Sequence, residues 1–164
     1  MLTITNEFSD ECKAYAKQIW EVFKKNSEER FSKSVLVEAW KPMLVYEEEH
    51  PDYRAYQIRL SGCTNDPLRF IYQLSHELGH HMINKSKWIL NEQGHIVNEW
   101  NQGYEEFCEA VSLKMILHFN QRDYYDKAIK HNDEIKNVRW TDRTKQLLVK
   151  YATINDLLKS DDFE

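Results

Sequence analysis

Ser75-His76-Glu77-Leu78-Gly79-His80-His81 is the stretch from which the fold of this chain is read. His76 and His80 stand four residues apart. On a helix that spacing stacks two imidazoles a turn apart on one face, where both can close on a single metal ion. Glu77 falls about 100° round the helix from His76, by the helical period. It then lies beside the ion, able to take a proton from a water that the metal activates. The pattern His-Glu-x-x-His therefore combines two metal ligands with one base.

Working outward, the residues before the motif supply a helix start. Asp66 is the expected N-cap and Pro67 the first helical residue. Ile71, Leu74, Leu78 and Met82 then fall on one apolar stripe, opposite the face that carries His76 and His80. Two histidines on a polar helix face can arise by chance, and this stripe argues against that. It predicts a buried helix that turns its histidine face to a cleft.

A catalytic zinc takes three protein ligands and leaves its fourth position to water. Two histidines are not enough. One known solution adds a Gly three residues and a His six residues after the second histidine. Those positions hold Ile83 and Ser86, which excludes it. In the downstream helical stretch Tyr104-Glu105-Glu106-Phe107-Cys108-Glu109-Ala110-Val111-Ser112, three carboxylates compete: Glu105, Glu106 and Glu109.

From about Val35 to Leu117 the chain resembles the gluzincins, and within them the ImmA/IrrE-like metallopeptidases. Arg69-Phe70-Ile71-Tyr72-Gln73-Leu74-Ser75-His76-Glu77-Leu78-Gly79-His80 is similar to that family's Arg-x-x-Phe-Thr-Leu-Ala-His-Glu-Leu-Gly-His, with Tyr72 where Phe is usual. Glu105-x-x-Cys108-Glu109-x-Val111-Ser112 is a looser match to Glu-x-x-Ala-(Asp/Asn)-x-Phe-Ala. The resemblance implies a Zn2+ ion held by His76, His80 and Glu105, with Glu77 as catalytic base. It also implies that Glu109, one turn on, orients a ligand imidazole by accepting its other ring N–H. Sliding the match by one residue makes Glu106 the ligand with Ala110 behind it, and the orienting acid is lost. The activity implied is hydrolysis of a peptide bond in a protein or peptide substrate, often a repressor or other regulatory protein.

Other polar residues have plainer readings. His81 lies between the ligand face and the apolar stripe, and packing or support of a ligand suits it. His95 falls in a loop that must pass near the cleft, where it could stabilise an oxyanion. Tyr104 is a second candidate for that role. His118 and His131 read as surface or packing residues.

The remainder of the chain supplies a scaffold. Phe8, Cys12, Tyr15, Ala16, Ile19, Val22 and Phe23 predict an amphipathic helix from about Asn6 to Lys25. Val35 to Trp40, Met43 to Tyr46 and Tyr53 to Leu60 read as short strands, with a charged turn from Glu47 to Asp52. In the last of these, Tyr56, Ile58 and Leu60 share one side, with Arg54, Gln57 and Arg59 exposed or at an edge. Three strands with short connections suggest a small, mainly antiparallel sheet. The strand ending near Leu60 would border the cleft, and an extended substrate could add to its edge. Lys85 to Gly103 has no clear period and reads as an active-site loop. Helices follow at about Tyr104 to Asn120, Asp123 to Lys136 and Asp142 to Lys159, and then an acidic tail.

These elements make one α+β domain over residues 1–164: an N-terminal helix, a small mainly antiparallel twisted sheet, the motif helix packed on it, and C-terminal helices. A net charge of -5, spread along the chain, supports no basic nucleic-acid face. The first residues lack the charged and apolar regions of a signal peptide, and no apolar run approaches membrane-spanning length. Cys12, Cys63 and Cys108 are odd in number and at no ligand-like spacing, so they read as packed thiols in a reducing compartment. A cytoplasmic protein is expected; the sequence is silent on its oligomeric state. Two alternatives accompany the peptidase: a metal-binding regulatory or interaction module of the same fold without peptidase activity, and a hydrolase of a non-peptide amide.

Overall fold

A computed structural model of the chain describes residues 1–27, 31, 33–40, 52–54, 57–82, 92, 102–135 and 140–160, with the backbone alone at 52–54 and 102. The elements run β1 (Leu2–Ile4), α1 (Asp10–Asn26), β2 (Val35–Ala39), β3 (Asp52–Arg54), β4 (Gln57–Leu60), α2 (Pro67–Met82), α3 (Gln102–His118), α4 (Arg122–Ile135), α5 (Asp142–Lys150) and α6 (Ile154–Leu158). The expected strand at 43–46, the turn at 47–51, most of the loop at 85–101 with His95, and the end of the acidic tail lie outside the described residues.

The sheet corrects the expectation of a mainly antiparallel one. Its order is β1-β2-β4-β3. β1 pairs with β2 in parallel, Leu2 opposite Val35, and β2 pairs with β4 in parallel, Val37 opposite Ile58. Among the described residues, the β3–β4 ladder alone is antiparallel, with Tyr53 opposite Ile58. Two causes escaped the sequence reading. Leu2–Ile4 is too short to display a period of two, and α1 returns the chain so that β1 and β2 run the same way. β4 then inserts between β2 and β3, so chain order is not spatial order. For the same reason β4 offers no edge to an added strand. Arg59, expected to be exposed or at an edge, is buried in this inner strand, its guanidinium 5.7 Å from the centre of the Trp40 ring.

Helix α1 starts where Ser9 caps it. The Ser9 hydroxyl accepts from Cys12 N at 3.2 Å, while Ser9 N donates to Thr64 O at 2.8 Å. Its inner face, Cys12, Ala16, Ile19, Trp20 and Phe23, is buried. Acidic Asp10 and Glu11 sit in the first turn and Lys24 and Lys25 in the last, matching the helix dipole.

Helix α2 is the centre of the packing, touching α1, α3, β3 and β4. Asp66 caps it, as its carboxylate accepts from Arg69 N at 3.2 Å. Phe70, Ile71, Leu74, Leu78 and Met82 are buried, as the apolar stripe requires. Replacing one such leucine by alanine costs about 2–5 kcal/mol in cores of this kind. The start of the helix is also tied to the end of β4. Gln73 accepts from Ser61 N at 2.8 Å and donates to Ser61 O at 2.7 Å. Gly62, at φ 62°, makes the turn between them, with the Arg69 guanidinium against it.

The last expected helix, Asp142 to Lys159, is divided into α5 and α6. Thr153 makes the break: its hydroxyl accepts from Asp156 N at 3.2 Å and caps a new helix. The apolar residues Leu147, Leu148, Ile154, Leu157 and Leu158 are nonetheless all buried.

Candidate metal centre

The centre lies where α2 and α3 face one another. Along α3, Glu105, Cys108, Glu109 and Ser112 recur at spacings of three and four, so they share one side of that helix. Ser112 Oγ donates to Tyr72 O of α2 at 2.8 Å. Gly79 admits the close approach, since a Cβ there would meet Cys108 Sγ at 3.0 Å and its Cα at 3.3 Å. A glycine on one helix and small side chains on the other bring the two backbones together.

That approach delivers Glu105 to both histidines. Its Oε2 lies 3.0 Å from His76 Nε2 and its Oε1 lies 3.2 Å from His80 Nε2. The two imidazole rings stand 5.1 Å apart at 66°, one turn apart on α2. Behind them, Glu109 Oε2 lies 3.2 Å from His76 Nδ1, and Glu109 Oε1 accepts a hydrogen bond from the Tyr72 hydroxyl. His76 is thus flanked by a carboxylate on each ring nitrogen. An ionised carboxylate only accepts, and a neutral imidazole has one N–H to give. The arrangement calls for a further positive charge, a second proton or a metal ion.

Glu106, the neighbour of Glu105, turns away. Its carboxylate lies 3.6 Å from Arg143 of α5, and the same guanidinium nitrogen donates to Gly103 O at 3.0 Å. This clamp holds the first turn of α3, from which Glu105 projects. Glu77 is buried beside His76 on α2, and its charge acts on His80 and Cys108.

Burial by itself would raise the Glu105 carboxyl; the hydrogen bonds with His76 and His80 outweigh it and hold the group well below the usual carboxylate range. Burial by itself would lower His80, but Cys108, Glu105 and Glu77 around it drive it well above its ordinary value. The Cys108 thiol is pushed up, chiefly by burial, although His80 within hydrogen-bond reach opposes this.

Cys108 is the residue that the sequence reading passed over. His76, His80 and Cys108 form a group that could hold a metal ion, with donor atoms all within 4.8 Å of one another. Counting cysteines against each other could not reveal it. The available signal was its place three residues after Glu105, on the same face of a helix rich in acid.

His81 is fully buried with its ring 4.7 Å from that of Phe31, a packing residue. Tyr104 is half-buried against the core, and His118 and His131 are exposed. Among the described residues, no helix is long and apolar enough to cross a membrane. Comparison with family models, curated proteins and solved structures finds no match to the chain.

Proposed function

We propose that this chain is a zinc-dependent peptidase of the gluzincin kind. In this reading His76, His80 and Glu105 hold the metal and Glu77 is the base. The observation that carries it is the convergence of Glu105 on both Nε2 atoms, at 3.0 and 3.2 Å. Donors bound to one tetrahedral zinc at about 2.0–2.2 Å stand about 3.3–3.6 Å from each other. Each nitrogen–oxygen pair is therefore slightly closer than two ligands of one zinc, with a different Glu105 oxygen facing each ring.

When bound there, zinc supplies Lewis acidity, which brings a water's pKa towards about 7 and polarises a carbonyl. The chain's own residues do the rest. Glu77 takes the proton of the attacking water and passes it to the leaving amine. Glu109 holds His76 with Nδ1 as the donor, which puts the ligand lone pair on Nε2. The substrate class is a protein or peptide, with a regulatory protein as the leading candidate, and the setting is the cytoplasm. Hydrolysis of a non-peptide amide would use the same groups.

Protein purified without added metal should carry about one zinc per chain, lost in His76→Ala and His80→Ala. Glu77→Gln should keep the metal and the fold yet abolish hydrolysis in a peptide-library assay, because an amide cannot accept the proton. Equal rates for wild type and Glu77→Gln would remove Glu77 from the mechanism.

A second reading has its own observation. Cys108 Sγ stands within 4.8 Å of nitrogens on both histidines. If the thiolate were a fourth protein ligand beside Glu105, the site would be closed to water. The chain would then be a metal-stabilised regulatory or interaction module without peptidase activity.

A further inference from the structure

We propose that Tyr72 is a positioning residue for the metal site, acting on His76 through Glu109. The inference rests on the zinc reading and deepens it. Tyr72 and His76 are one turn apart on α2, so their side chains leave the same side of the helix. Glu109 of α3 receives both: Oε1 takes the Tyr72 hydroxyl, and Oε2 lies 3.2 Å from His76 Nδ1.

The second bond matters because of how a glutamate turns. Rotation about its last torsion is broad and two-fold, so one hydrogen bond leaves the carboxylate plane loose. A donor on each oxygen fixes that plane. Both donors come from α2, so Glu109 is held as a rigid bracket against the helix that carries the histidines. Ser112, three residues on from Glu109, pins the same turn by donating to Tyr72 O at 2.8 Å. An ionised Glu109 can only accept, so His76 Nδ1 must carry the hydrogen. Nε2 is then the nitrogen left to bind metal, beside Glu105 at 3.0 Å. Tyr72 thereby stiffens the tautomer and the ring angle of a ligand that it does not touch.

The test is zinc affinity, measured by competition with a chromophoric chelator, in a two-by-two set of variants. Tyr72→Phe keeps the ring and removes the hydroxyl alone. It should weaken zinc binding about 10-fold, the low end of the loss seen when a group orienting a ligand is removed. The melting curve of the metal-free protein should remain cooperative. In a Glu109→Ala background, the added Tyr72→Phe change should alter affinity by less than about twofold, the limit for sites with nothing left to couple them. If Glu109→Ala does not fold, Glu109→Leu, close in size and without a hydrogen-bonding group, closes the same cycle. Wild-type affinity in Tyr72→Phe, or equal losses in both backgrounds, would overturn the inference while leaving the zinc site standing. A wild-type chain that binds no zinc would overturn the parent reading and this inference with it.

Discussion

Gly79 of α2 lies directly against Cys108 of α3: a Cβ at position 79 would fall 3.0 Å from the sulfur and 3.3 Å from the Cα. The sulfur is a side-chain atom, but the Cα belongs to the α3 backbone and moves only with that helix. Gly79 therefore sets how near α3 comes to the histidines, and with it the reach of Glu105.

Gly79→Ala should accordingly act on both stability and metal. Overpacking a tight contact costs about 1–3 kcal/mol, against which alanine's better helix propensity returns somewhat under about 1 kcal/mol. The expected result is a lower urea midpoint together with weaker zinc binding. An alanine variant as stable as wild type, with unchanged zinc affinity, would show that the contact does not govern the site.

The three acidic residues of α3 should separate cleanly. Glu105→Ala should lose zinc at any practical concentration, because its carboxylate reaches both Nε2 atoms. Glu109→Ala should weaken zinc binding about 10–100-fold, as removal of a ligand's supporting group does. Glu106→Ala should keep the metal, since its partner is Arg143, 3.6 Å away. It should instead lower the melting temperature, as the clamp on the first turn of α3 loses one side. Chelator titration beside a melting curve reads all three. Loss of zinc in Glu106→Ala alone would put the ligand one residue along.

Cys108 decides between an open and a closed centre. X-ray absorption at the zinc edge distinguishes sulfur at about 2.3 Å from nitrogen and oxygen at about 2.0–2.2 Å. The peptidase reading expects nitrogen and oxygen neighbours alone, with zinc retained in Cys108→Ala. A sulfur neighbour in wild type that disappears in Cys108→Ala would favour the regulatory module.

Much of the site is legible in the sequence because it is local. His76 and His80 share a face, and Glu77 sits beside them, through helical geometry within a single turn. The same period exposes the apolar side of α2, and Asp66-Pro67 announces its start; Asp66 does cap it. The inner faces of α1, α5 and α6 follow the same rule: Cys12, Ala16, Ile19 and Phe23, then Leu147 and Leu148, then Ile154, Leu157 and Leu158 are buried, while Tyr15 and Val22 are half-buried. Local chemistry also divides α5 from α6. Thr153 could have been recognised as a cap, but the continuous apolar period concealed it.

What lay beyond the sequence is non-local. Strand order depends on where β4 inserts and on α1 turning the chain back, and neither leaves a mark in the periodicity of short strands. Glu105, Glu106 and Glu109 are chemically alike along one helix. Tertiary packing separates them, by directing Glu105 at two histidines, Glu109 at Tyr72 and His76, and Glu106 at Arg143. Cys108 enters the group for the same reason. A helix determines its own faces through bonds between neighbours, but its rotation against another helix is set by side chains meeting across the interface, here Gly79 against Cys108.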